Sequence, residues 1–533
     1  MTRLFERITS VDVPNEIQLT SPGGKNAPFS LTLRADGVVP FAQFVLWKDS
    51  SQLAVIRATD STPTSPPADA KATATQVWEY RAEVPANLVG AGNLCIQAEG
   101  CRRADIDRAQ AEDWIKEYRT VRLSLANSAV DAHESTPRIS GGTANGVRLY
   151  FGIHKHMHQP YYRTVEERHW DGALDGIFSS RRGPYTEFLA DAVERYVSGG
   201  LPHAGLSTSF SGSLIEQLDR CDREGLCGGN FSNWRRRLVS AASLRTSLGH
   251  PRLDFTAFGY FHPLMPLIPE RDIVRQIEWH RRLIGERFEA AASTVLFPPE
   301  TAFHVRMIPA LLRAGVSAVI YDSIHRFRAC RGYPYAGKNE GMLPPNRADQ
   351  LNPPVSDWMQ LHNIWAGSLI SPSLLRPTFI RYRDADDQEH RIIGVPAERY
   401  IGNEDARGGF GALQYASVLG QVYDRITETG TYDPKHPPFF LLHSDGDNHG
   451  GGADSYYRHN TERLVEWLKE DSRFELTTIH DYLERFPVDA DETIHVEPGS
   501  WSGADNGDPQ FMKWFSRWDQ DYSPDLNSWA VLT

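Results

Sequence analysis

Phe297-Pro298-Pro299-Glu300-Thr301-Ala302-Phe303 sets one carboxylate just past an apolar run. That run, Ser293-Thr294-Val295-Leu296-Phe297, reads as a buried strand. The two prolines stop ladder pairing and fix the backbone. A helix is expected from about Val305 to Ala314, with Gly315 where a helix C-terminal glycine belongs. Val316-Ser317-Ala318-Val319-Ile320-Tyr321 reads as the next strand. Strand, helix and strand make a parallel crossover unit. In such folds the side chains at strand C-terminal ends face the active site, and Glu300 stands there. By itself the same glutamate reads equally well as a solvated loop residue or a helix cap.

Working outward, the pattern repeats. Val147 to Ile153 is a strand that runs into His154-Lys155-His156-Met157-His158-Gln159-Pro160. The alternate histidines share one face if the strand continues. They suit a metal, a hydrogen-bonded ligand or plain solvent exposure. Gly205 to Phe210 is a further strand, between helices at Glu187–Tyr196 and Leu214–Leu218. Asp254 to Phe258 is another, ending in Gly259-Tyr260-Phe261-His262-Pro263. Ile273, Ile277 and Ile284 mark one face of the helix that follows. Pro438 to His443 is the last strong strand. It feeds Ser444-Asp445-Gly446-Asp447-Asn448-His449-Gly450-Gly451-Gly452, where glycines permit close approach of a ligand. Helices are expected at Arg463–Glu470 and Thr478–Phe486. Alternating strands and helices predict a parallel α/β fold. Polar residues collected at the strand ends favour a barrel over an open sheet.

Residues from about Phe327 to Gly411 break this rhythm and read as an irregular functional insertion. Trp358, Trp365 and Tyr382 offer stacking faces there, although packing is the commoner role. Glu398, Glu404 and Asp405 are rival carboxylates without a strand context.

The N-terminal part differs. Up to about residue 110, short alternating runs such as Phe29–Leu33 and Trp78–Val84 predict a β-sandwich-like module. Trp47 and Trp78 are either core or a carbohydrate platform. Ser61 to Pro67 reads as an exposed loop, and Arg103 to Ala126 as a charged helix. Asn127 to Asn145 reads as a linker. The domain assignment is therefore 1–110 for the β module and 111–145 for a helical segment and linker. Residues 146–490 make the catalytic barrel, and 491–533 a tryptophan-rich helical segment with Trp501, Trp514, Trp518 and Trp529.

Composition narrows the function classes. The 533 residues are 40% hydrophobic and 23% charged, which is globular and too long for one ordinary domain. A net charge of -12 argues against nucleic acid or an anionic membrane as the main partner. No run approaches a membrane span. The five cysteines form no C-x-x-C pair, so a structural zinc site is not expected. With no apolar signal-like run at residues 1–7, a cytoplasmic location with reduced thiols is expected. Two carboxylates on separate strand ends of a parallel barrel fit glycoside hydrolysis, in which one group attacks and the other protonates the leaving oxygen.

The order of motifs sharpens this. His158-Gln159-Pro160, then Gly259-Tyr260-Phe261-His262-Pro263, then Pro299-Glu300, then Asp445-Gly446-Asp447-Asn448 resembles glycoside hydrolase family 57. Ser207 to Leu218 and Leu311 to Gly315 are similar to the family's spacers, and the resemblance covers about Val147 to Pro487. It implies an incomplete (β/α)7 barrel with a short C-terminal helical region and a retaining mechanism on α-glycosidic bonds without a cofactor or metal. Glu300 then matches the nucleophile and Asp445 the general acid/base. Asp447 stands where the family often has a glutamate, and is the reserve acid/base. By the same analogy His158 and His262 bond sugar hydroxyls. Gln159, Tyr260, Asp447, His449 and Trp365 are further candidate substrate contacts. The implied substrate is an α-glucan or maltooligosaccharide, cleaved as by an α-amylase. Transfer by a 4-α-glucanotransferase or a branching enzyme is the alternative on the same site. Two rivals belong to other classes. One is a non-catalytic glucan-binding protein. The other is a metal-dependent polysaccharide deacetylase using His154, His156 and His158 with Asp445, Asp447 and His449. The sequence sets no oligomeric state.

Overall fold

The computed structural model describes residues 8–13, 16–19, 28–48, 51–58, 60–64, 77–85, 92–109, 113–125, 146–162, 173–335, 344–362, 369–398, 401–402, 415–447, 461–501 and 507–512. The chain divides into two compact units, Met1–Arg138 and Ile139–Thr533.

Among the described residues the first unit is β, apart from the single 3-10 turn Ile106–Arg108. A four-stranded sheet orders Ile8–Asp12, Phe29–Ala35, Val77–Val84 and Asp60–Thr64. A five-stranded sheet orders Glu16–Leu19, Trp114–Leu125, Gly92–Cys101, Phe41–Lys48 and Ser51–Arg57. Leu31, Leu33, Tyr80 and Val84 of one sheet share a core with Phe44, Leu46, Ile96 and Ala98 of the other. Trp78 packs partly buried against that core, which is the packing role. The side chain of Trp47 lies outside the described residues.

Two expectations are corrected here. The helix expected over Arg103–Ala126 is instead largely the strand Trp114–Leu125, paired over its length with Gly92–Cys101. Its aromatic and β-branched residues, Trp114, Ile115, Tyr118, Thr120 and Val121, prefer the pleated surface to a helix. The helical part of the 111–145 assignment therefore fails over the described residues, and the linker at 127–145 lies outside them. The loop expected at Ser61–Pro67 begins as the strand Asp60–Thr64. That strand lies at a sheet edge, where Pro63 loses no ladder bond that matters.

The second unit is α/β. Seven strands carry the site: β1 (Leu149–Met157), β2 (Leu206–Phe210), β3 (Leu253–Phe255), β4 (Val295–Leu296), β5 (Ala318–Asp322), β6 (Glu389–Ala397) and β7 (Phe439–Asp445). Their order is β3-β2-β1-β7-β6-β5-β4, with every neighbouring pair parallel. Just beyond β3, Ala257 pairs in parallel with Leu296 of β4, so hydrogen bonding also joins the two ends of that order. Interior and exterior are both packed, which is why β2, β5 and most of β1 are buried along their length. Helices Phe188–Ser198, Gly212–Glu224 and Glu270–Phe288 alternate with the first strands, as the apolar spacing predicts. Ser211 caps the second of these through Leu214 N. Gly315 follows the helix Ile308–Arg313 with φ 75°, the left-handed C-terminal position expected of it.

The insertion from Phe327 to Gly411 is not wholly irregular. It contains the strand Thr378–Arg383 and then β6, joined antiparallel, and β6 sits between β5 and β7. Only the second half of β6 is buried. Its half-buried Glu389 and His390, exposed Arg391 and the later Pro396 mask the period. At the C-terminal end, Gly499–Trp501 and Gly507–Pro509 form an antiparallel pair rather than helix. The remaining helical expectation, over 513–533, lies outside the described residues. No described helix is long and apolar enough to cross a membrane.

Candidate active site

The C-terminal ends of the parallel strands converge on a histidine-rich floor. His154, His156 and His158 alternate on β1 and beyond it, opposite Ser207, Ser209 and Ser211 of β2 and its end. Each imidazole Nδ1 meets its serine Oγ, at 2.9, 2.8 and 2.9 Å in that order. Parallel register makes the ladder, since His154 pairs with Ser207 and His156 with Ser209. Burial holds all three imidazoles well below their usual pKa, with neighbouring histidines adding to the effect. They are neutral hydrogen-bonding groups near neutral pH. With each Nδ1 committed to a serine, the three rings form a fixed polar wall. Among the described residues no group of three or more His, Cys, Asp or Glu converges to hold a metal ion. His449 lies outside the described residues.

His262 joins this floor. It stacks on His158 at 3.9 Å with 13° between the rings. Its Nε2 lies 3.2 Å from His156 Nε2 and 3.5 Å from Glu300 Oε1. Burial lowers His262 to about 4. Near neutral pH the His262 imidazole is therefore neutral, and its contact with Glu300 is not an ion pair.

Glu300 sits in the short turn Pro299–Thr301 after β4. Its φ is 59°, Thr301 follows at 49°, and His262 stands at 62°. Left-handed backbone at a non-glycine residue costs on the order of 1–3 kcal/mol and persists where surroundings enforce it, often at functional sites. Here Thr301 N bonds Pro298 O, Ala302 N bonds Pro299 O, and Phe303 exchanges both backbone bonds with Gly499. The Gly499 strand carries Trp501, whose indole N–H donates to Glu300 Oε2 at 2.5 Å. Glu300 is thus held between His262 and Trp501.

Asp445 ends β7 and faces His156 in register. Burial, then the charge of Asp447, pushes its carboxyl up to about 7, while Lys155 opposes the shift. Asp447 is raised by burial too, but Tyr185 and Gln159 hold its carboxylate through bonds of 2.5 and 3.3 Å. Between the two acids Gly446 N bonds His156 O at 2.7 Å. A Cβ at Gly446 would stand 2.9 Å from Lys155 Cβ, so only glycine lets the turn lie this close to β1. The arrangement can keep one carboxyl protonated near neutral pH, beside an acid already engaged by two donors.

The structure thus brings together Glu300, Asp445, Asp447, His158, His262 and Gln159. Tyr260 faces elsewhere: its hydroxyl donates to Glu216. Trp365, Glu404 and Asp405 lie outside the described residues. Trp358 packs edge-on to Phe327 and Tyr333, and Tyr382 packs against a core cluster. Sequence reasoning missed Trp501 as a partner of Glu300, and it missed Lys155. Lys155 lies between two inward histidines, so alternation assigns it to the outer face, yet it is buried and bonds Ser444 Oγ at 2.8 Å. Glu398, at the end of β6, is fully buried and accepts from Ser323.

Residues 147–344 match the model of glycosyl hydrolase family 57. An alpha-amylase of Niallia circulans is 24% identical over 335 residues, covering 59% of this chain and 24% of that protein. An alpha-amylase of Pyrococcus horikoshii is 23% identical over 204 residues, covering 37% of this chain and 26% of that protein. The chain therefore spans about a quarter of the length of these curated relatives. Among solved structures, the 4-alpha-glucanotransferase of Thermococcus litoralis aligns over 67% of this chain and 43% of its own, with a TM-score of 0.42 and 15% identity. The matched segment, somewhat over a third of the chain, contains β1 through β5, with Glu300, His158 and His262.

Proposed function

We propose that this protein is a retaining glycoside hydrolase of α-1,4-linked glucans, with Glu300 as nucleophile and Asp445 as general acid/base. The observation that carries the reading is the pairing of unlike carboxyl groups on one histidine floor. Glu300 is oriented by Trp501 and His262, and Asp445 is raised to about 7. Retaining hydrolysis needs one group ionised to attack and one protonated to donate. In the first step Glu300 attacks the anomeric carbon as Asp445 gives its proton to the departing oxygen. In the second, water attacks the glycosyl–enzyme bond and returns a proton to Asp445. A sugar hydroxyl in place of water gives transfer instead, the 4-α-glucanotransferase or branching variant of the same chemistry. Neutral His158 and His262 bond sugar hydroxyls without adding charge.

On this reading the joined ring of parallel strands is the incomplete (β/α)7 barrel, and the two sheets of the first unit are a sandwich. Asp447 is a support for Gln159 and Tyr185 rather than the acid/base.

The test is product analysis after incubation with maltoheptaose. Short sugars are expected from the wild type, and Glu300→Gln is expected to abolish turnover while leaving the melting temperature within a few degrees. Undiminished turnover in that variant would overturn the assignment. Products both longer and shorter than the substrate would select the transferase variant.

A further inference from the structure

The turn that aims His262 inward sends its neighbour outward. Phe261 is 47% exposed, as are Trp279 (49%) and Tyr161 (39%), an unusual gathering of bare aromatic rings. They are linked through Tyr260, itself only 8% exposed: Tyr161 to Phe261 is 6.1 Å between centroids, Phe261 to Tyr260 4.7 Å, and Tyr260 to Trp279 6.2 Å. Beside them lies a depression of about 340 Å³, bordered also by Glu216, Arg282 and Glu286.

We infer that this surface is an outlying α-glucan-binding site that grips the polymer chain beyond the catalytic centre. The inference rests on the α-glucan reading of that centre. Three observations support sugar as the occupant. Aromatic faces alternate with carboxylate and guanidinium groups, which suits a ligand with apolar C–H faces and hydroxyl rims. Two carboxylates against one guanidinium disfavour an anion, whereas a glucan is neutral. The surface is also rigid before binding. Tyr161 and Tyr260 both donate their hydroxyls to Glu216, and Phe261 N is held by Gln276 at 2.9 Å, so little ordering is left to oppose binding. Two members of the aromatic row neighbour residues of the catalytic centre along the chain: Phe261 precedes His262, and Tyr161 stands two residues beyond Gln159. A chain threaded through one can reach the other.

The experiment compares wild type, Trp279→Ala and Trp279→Tyr in three assays: maltoheptaose turnover, retardation in native gels containing amylopectin, and sedimentation without ligand. Trp279→Ala is expected to turn over maltoheptaose within about twofold of wild type and to bind amylopectin about tenfold more weakly, the size of loss typical of a buried aromatic anchor. Trp279→Tyr should restore most of the retardation. Unchanged retardation of Trp279→Ala overturns the inference while active wild type keeps the catalytic assignment standing. If wild type neither cleaves maltoheptaose nor is retarded, both readings fall. A wild-type dimer that Trp279→Ala dissociates would give the surface to a second copy of the chain, and also overturns the inference.

Discussion

Asp445 and Asp447 stand two residues apart, yet their surroundings set them different tasks. Tyr185 and Gln159 engage Asp447, whereas Asp445 is left to burial and the opposing charge of Lys155. Asp445→Asn should lower kcat on maltooligosaccharides by about 10²–10⁴-fold, the usual worth of a general acid. The loss should shrink on an aryl glycoside, whose leaving group needs no proton. Wild-type activity should fall as pH rises through about 7, where Asp445 loses its proton. Stability follows the same group. Its folded-state pKa is raised, so the native protein binds more protons than the unfolded chain between about pH 4 and 7, and stability falls across that window as pH rises. A melting curve should therefore place Asp445→Asn above wild type at pH 8, with the gap closing towards pH 4. At this scale the two principal acids were legible, because each ends an apolar run. Trp501 was not: it meets Glu300 from 201 residues away, and no local pattern encodes such a contact.

At the scale of elements, strands buried on both faces and bounded by turn residues announced themselves. The strands that hid were those half exposed or at an edge. β6 begins with Glu389-His390-Arg391, and Asp60–Thr64 contains a proline; both conflict with a simple apolar run. Trp114–Leu125 hid for a different reason. Its charged residues resemble a helix surface, and only its long pairing with Gly92–Cys101 shows the period to be two. Gly402, five residues past β6, lies against the backbone of β7 at His443. A Cβ on Gly402 would lie 2.1 Å from His443 O and 2.5 Å from His443 N, and backbone atoms cannot step aside as a side chain can. Gly402→Ala should cost about 1–3 kcal/mol or more through this overpacking. Chemical denaturation should show a lower midpoint at unchanged slope, and kcat should drop as β7 moves Asp445.

Across the whole second unit, a buried ion pair ties the C-terminal segment to the site. Arg328 and Glu497 are each about fully buried and joined at 2.6 Å, with His325 at 3.5 Å from the same carboxylate. His325 also meets Ser500 O at 3.1 Å, and Ser500 precedes the indole that holds Glu300. Breaking a buried pair from one side leaves an uncompensated charge and costs about 3–5 kcal/mol. Glu497→Ala should show that loss in denaturant melts, and a fall in kcat larger than any change in KM, because Glu300, the proposed nucleophile, loses its orientation while the proposed sugar-binding groups stay in place.

The sequence by itself determined the parallel α/β character of the second unit, the all-β character of the first, and the strand-end positions of Glu300, His158, His262 and Asp445. These follow from period, turn chemistry and the reach of a single element, all of which are local. Only tertiary structure decided the histidine–serine ladder, the raised Asp445, the commitment of Asp447 to Tyr185, and the delivery of Trp501. Each of those depends on which distant strands become neighbours and how deeply they are buried. Register and desolvation are properties of the assembled chain, and no short stretch of it carries them.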